Sequence, residues 1–123
     1  EGELRLNFRD KNSSLESLSK KLIKNLNVKK TIITSGKNGS MIINNTKVKK
    51  TSKSKAFASN IVDKVGSGDA MLAIASLCDK MKMNEKEILL ISSLAAAQKL
   101  GTMGNKTKLN KLDLIKSVYY TLK

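Results

Sequence analysis

Asp63-Lys64-Val65-Gly66-Ser67-Gly68-Asp69 marks the place where the hydrophobic period of this chain changes. Upstream, short β-branched runs alternate with turn residues, the pattern of strands. Downstream, apolar residues recur at three and four positions, the pattern of helices. The glycines fall at the junction, where a loop must become a helix.

Working outward, Thr31-Ile32-Ile33-Thr34 predicts a strand and Gly36-Lys37-Asn38-Gly39 a glycine turn. Met41-Ile42-Ile43 predicts a second strand, Asn44-Asn45-Thr46 a turn, and Lys47-Val48-Lys49 a third strand. Residues 13–26 predict an amphipathic helix, with Ser13 and Glu16 as an S-x-x-E capping box. Leu15, Leu18, Leu22 and Leu26 share its apolar face.

Beyond the junction, residues 68–82 place Met71, Ile74, Cys78 and Met81 on one helical stripe. Asn84 with Glu87 caps a further helix that runs to about Leu100. That helix is apolar around most of its girth, so it should be buried. Ala95, Ala96 and Ala97 permit a neighbour or ligand to approach it closely. Gly101 should end it in a left-handed cap. Asn110 opens a last helix, with Leu112, Ile115, Tyr119 and Leu122 expected inward.

Alternating strands and helices imply an α/β fold with helices layered on a sheet. Residues 1–123 are read as a single partial domain. A three-strand layer under three or four helices leaves a sheet edge and a helix face to be covered. Upstream sequence or another subunit, as in a homodimer, would cover them.

Composition narrows the chemistry. A hydrophobic share of 40% fits a globular domain, not a disordered one. No apolar run is long enough to span a membrane, and Glu1-Gly2-Glu3 lacks a signal-peptide layout. Cys78 is the one cysteine, so no internal disulfide can form. That suits a reducing compartment, and a cytoplasmic location is expected. Its thiol is read as a small apolar helix residue.

Histidine is absent. A Ser-His-Asp arrangement and most zinc sites are therefore excluded, and acid-base work falls to ten carboxylates. The net charge of +14 raises a basic nucleic-acid-binding module as the alternative function. All of the 24 basic residues except Arg5 and Arg9 are lysine, and aromatic residues make up only 3%. Base readout leans on arginine and single-strand binding on aromatic stacking. The lysines therefore read as a solvated face.

At Gly66-Ser67-Gly68-Asp69 the chain offers a different chemistry. Glycines let backbone N–H groups converge without obstruction by a β-carbon. The first N–H groups of a helix lack internal partners and carry the positive end of its dipole, so they can hold an anion. An aspartate there competes with a bound anion unless it points past it. Aimed at an attacking hydroxyl, Asp69 can take the proton while the N–H groups steady a transferring phosphoryl group. A plain helix N-terminus with a capping aspartate is the structural alternative for these four residues. A dinucleotide fingerprint fails at Met71, and neither glycine cluster supplies a Walker A loop.

Taken together, three segments resemble the ribokinase-like (PfkB) carbohydrate kinases. Asp63-x-x-Gly66-Ser67-Gly68-Asp69 is similar to that family's D-T-x-G-A-G-D signature. Thr34-Ser35-Gly36-Lys37-Asn38-Gly39 resembles its T-x-G-x-x-G turn, and Glu1-Gly2-Glu3 the tail of its N-x-x-E motif. Lys64 stands where the family has Thr, and Ser67 where it has Ala.

The resemblance implies the C-terminal part of a ribokinase-like three-layer α/β/α fold, without the sugar-contacting half and lid. It implies ATP-dependent transfer of a phosphoryl group to a sugar or sugar-phosphate hydroxyl. Asp69 matches the base, and Gly66, Ser67 and Gly68 match the anion hole. Thr34, Gly36 and Gly39 match nucleotide-side positions, and Glu3 matches a glutamate that organises magnesium. Asp63 and Val65 match positions that offer oxygens to potassium in some members. Ala95-Ala96-Ala97-Gln98-Lys99-Leu100-Gly101-Thr102 resembles a stretch of the heptose-phosphate kinase branch.

Overall fold

The computed structural model describes residues 1–45, 50–57, 65–101 and 108–123. Helices α1 (Gly2–Phe8) and α2 (Leu15–Leu26) lead into strand β1 (Lys30–Thr34). A 3-10 turn (Gly36–Asn38) joins it to β2 (Ser40–Asn44), and β3 (Lys50–Ser54) follows. Then come α3 (Ser67–Lys80), α4 (Glu85–Leu100) and α5 (Lys111–Leu122).

The strands form one antiparallel sheet in the order β1-β2-β3. Ile32 lies opposite Ile42 and Ile33 opposite Met41, while Ile42 faces Ser52 across the other ladder. Side chains alternate across a sheet, and β2 is buried on both faces. Met41, Ile43 and Ile33 pack with Leu4, Leu18 and Ile23 from α1 and α2. Ile42 packs with Met71, Ala75 and Cys78 of α3 and with Ile88 and Leu89 of α4. The result is a three-layer α/β/α arrangement, with β2 at its centre.

Polar ties fix α4 against β2. The Asn44 amide donates to Glu85 Oε1 at 2.7 Å, and the Ser40 and Ser93 hydroxyls lie 3.1 Å apart. Ser40, Ile42 and Asn44 alternate along the strand, so one face of β2 carries all three links. Ser92 is fully buried and donates back to the Ile88 carbonyl at 2.6 Å. Asn84 caps α4 through Lys86 N and Glu87 N, and Glu87 returns a bond to Asn84 N, the predicted capping box.

Several sequence expectations change. The α2 cap is Ser14, which accepts from Ser17 N, rather than Ser13. Ser13 N donates instead to Asp10 Oδ1, and Glu16 pairs with Lys53. Helix α3 stops at Lys80, which turns Met81 outward. Gly101 is right-handed, with φ −78°, because its N–H bonds back to the Ala97 and Lys99 carbonyls.

In α5 the apolar stripe reverses its expected direction. Leu112 and Ile115 are 67% and 53% exposed, and Tyr119 and Leu122 are exposed as well. The half-buried positions are Leu114, Ser117 and Val118, at helical spacing against α4. Helix α1 had no sequence expectation, because its short pattern around Leu4 and Phe8 is weak. The expected third strand at Lys47-Val48-Lys49 lies outside the described residues; β3 occupies Lys50–Ser54.

Candidate active site

The turn between β1 and β2 is built around two glycines. Gly36 has φ 54° and Gly39 φ 86°, the left-handed region that favours glycine. Ser35 N donates to the Gly39 carbonyl at 2.8 Å, and Gly39 N to the Gly36 carbonyl at 3.0 Å. A β-carbon at Gly39 would overlap the Ser54 carbonyl oxygen and lie 2.9 Å from Lys55 C and 3.0 Å from Ala56 N. The missing side chain lets the end of β3 lie against the turn.

Across from it, Gly66 enters α3 as a left-handed cap with φ 78°. Ala70 N reaches back to the Gly66 carbonyl at 3.0 Å, so Ser67, Gly68 and Asp69 form the first turn. A β-carbon on Gly68 would meet nothing within 4 Å.

Between turn and helix lies a cavity of about 350 Å³. Thr34, Gly36 and Gly39 line one side, Ser67 and Gly68 another, and Met71, Ala96, Ala97 and Leu100 supply apolar wall. The two glycine segments, Thr34–Gly39 and Ser67-Gly68, thus meet at one space although they lie far apart in the chain. Apolar walls with a few convergent polar groups and a helix start suit a ligand with a flat apolar part and an anionic part.

Asp69 projects from the same helix turn but is exposed and is not among the cavity-lining residues. Gly66 frames the helix entry without lining the cavity. Glu3 is exposed on α1 and stands apart from it. Asp63 lies outside the described residues, and Val65 is exposed. Among the described residues no three His, Cys, Asp or Glu side chains gather as a metal cluster. The described residues among them therefore do not gather into a magnesium or potassium site.

Sequence reasoning missed Ser40, Ser93, Lys37, Lys55 and Phe57, which also line the cavity. Only the close approach of Ala95–Ala97 had pointed to α4.

The sequence pattern of the pfkB family of carbohydrate kinases matches residues 1–112. The chain belongs to that family. No curated protein matches it by sequence. Solved kinases share its fold. Phosphofructokinase-2 from Escherichia coli, in complex with potassium, superposes with TM-score 0.82 at 13% identity. That match covers 100% of this chain and 40% of the other. A ribokinase from Thermotoga maritima gives 0.75 at 20% identity, covering 98% and 39%. Arabidopsis thaliana ribokinase, complexed with ribose and ATP, gives 0.73 at 20% identity, covering 86% and 35%. The pfkB chain thus spans about two fifths of the length of the kinases it resembles. No helix among the described residues is long and apolar enough to cross a membrane.

Proposed function

We propose that this chain is the nucleotide-binding and base-bearing part of an ATP-dependent sugar kinase. The observation that carries the reading is the single cavity lined by both Thr34-Gly36-Gly39 and Ser67-Gly68. Apolar Met71, Ala96, Ala97 and Leu100 offer a surface for a nucleobase. The first turn of α3 offers backbone N–H groups and a positive dipole end to phosphate.

In the reaction, an acceptor hydroxyl approaches the exposed side of the α3 first turn. Asp69 takes its proton as the oxygen bonds to the γ-phosphorus of ATP. The bond from that phosphorus to the bridging oxygen breaks, and ADP leaves with its electron pair. Gly68 N–H, at the helix start, steadies charge on the phosphoryl group in transit. Exposure of Asp69 is consistent with a partner surface, the sugar-bearing part of the kinase, that lies beyond these residues. Gly66 sets the helix entry that aims these groups. Glu3 and magnesium, and Asp63 with the Val65 backbone and potassium, belong to this proposal through the family resemblance. Bound magnesium would neutralise phosphate charge.

Within the family, the resemblance of the sequence of residues 95–102 favours the heptose-phosphate branch, with a sugar phosphate as acceptor. The isolated 123 residues should bind nucleotide without turning over. The test is phosphoryl transfer from ATP to a panel of sugars and sugar phosphates by the full-length protein. No transfer to any of them, with ADP binding also absent, would refute the kinase reading. DNA binding with a steep salt slope and no protection by ADP would favour the nucleic-acid module.

A further inference from the structure

We infer that Lys37 and Lys55 make this cavity select nucleoside polyphosphates over nucleosides, by placing two ammonium charges beside the phosphates. The inference rests on the nucleotide reading above and assigns charge recognition to residues outside the glycine segments. They are the charged side chains among the described lining residues, and no carboxylate is in that lining.

Two lysines of the strands have carboxylate partners. Lys30 pairs with Asp79, and Lys53 lies 3.9 Å from Glu16. Among the described residues, neither Lys37 nor Lys55 has a carboxylate within ion-pair distance. Two exposed like charges lining one cavity raise its positive potential, and a multivalent anion is drawn to it.

The backbone brings together the two segments that carry these exposed lysines. Lys37 sits inside the 3-10 turn that Gly36 and Gly39 close. Lys55 follows β3, and its carbonyl carbon lies 2.9 Å from where a Gly39 β-carbon would be. Glycine at position 39 therefore permits the close approach that the Ser40–Ser54 pairing of the β2–β3 ladder sets up. The start of α3 adds about half a positive charge to the same cavity. Lysine acts on phosphate as a point charge, so it counts phosphates rather than reading a base.

The experiment titrates ADP and adenosine, by calorimetry, into the wild-type chain and into Lys37→Met, Lys55→Met and the double variant. Methionine keeps the apolar stem without the charge, and melting temperatures check folding. Each single change should weaken ADP binding about fivefold, as for a partly exposed ion pair. The double change should weaken it further and flatten its dependence on KCl, with adenosine binding unchanged. Lys37→Arg with Lys55→Arg should restore ADP affinity. Wild-type ADP affinity and salt dependence in the double variant would overturn the inference. So would an equal loss for ADP and adenosine. A wild-type chain that binds neither ligand would instead bring down the nucleotide reading, and the lysine assignment with it.

Discussion

Gly39 and Ser54 touch through backbone alone: the Ser54 carbonyl oxygen occupies the space that a β-carbon on Gly39 would fill. The contact joins the β1–β2 turn to the end of β3 and shapes one side of the cavity. Gly39 also has φ 86°. Gly39→Ala therefore meets backbone strain and a clash with backbone atoms that cannot rotate away. It should destabilise the chain by about 2 kcal/mol or more, read as a lower urea midpoint with an unchanged m-value.

Gly68→Ala should do the opposite to stability. Its β-carbon meets nothing within 4 Å, and alanine gains about 0.5–1 kcal/mol over glycine inside a helix. The same methyl intrudes on the cavity that Gly68 lines. Raised thermal stability together with weaker ADP binding is the expected pair of results. Unchanged ADP affinity would remove Gly68 from the phosphate side.

Asp69→Asn in the full-length protein tests the base. Loss of a general base lowers turnover about 10²–10⁴-fold. Asp69 is exposed in the first turn of α3, so the melting temperature should barely change. Near-normal turnover with intact folding would remove Asp69 from the mechanism.

The two apolar stripes of the C-terminal helices should respond differently to substitution. Leu112→Lys on α5 alters an exposed position and should change stability by less than about 0.5 kcal/mol. Ile88→Ala on α4 empties a site buried against Ile42 and Met71 and should cost about 2–5 kcal/mol. Denaturant titration of both variants checks the assignment of inward and outward faces.

Cys78 should resist thiol reagents in the native state at neutral pH. Burial against α4 and β2 pushes its thiol pKa up, so the reactive thiolate is scarce. Titration with a disulfide reagent should show slow reaction when native and rapid reaction in urea. Equal rates would mean that the α3–α4 layer opens freely.

Much of this was legible in the chain itself. Hydrophobic period marked β1, the glycine turn, β2, α3 and α4, because a half-buried strand and a packed helix impose different spacings. Asn84 with Glu87 and Asn110 announced their helices, since a cap is a local bond between near neighbours. The left-handed backbone at Gly36, Gly39 and Gly66 was not read from the sequence, and Gly101, where it was expected, is right-handed. What the sequence left open depends on which element lies across from which. Only the packing of α3 and α4 on the sheet brought Thr34–Gly39 and Ser67-Gly68 to one cavity with Ser40, Ser93, Lys37 and Lys55. Only packing decided that Leu112 and Ile115 face outward, because helical spacing defines a stripe but not the neighbour that covers it. Asp63-Lys64-Val65-Gly66-Ser67-Gly68-Asp69 could signal a loop turning into a helix. That its glycine-led helix start faces the β1–β2 turn, with Asp69 on the exposed side, was decided in three dimensions.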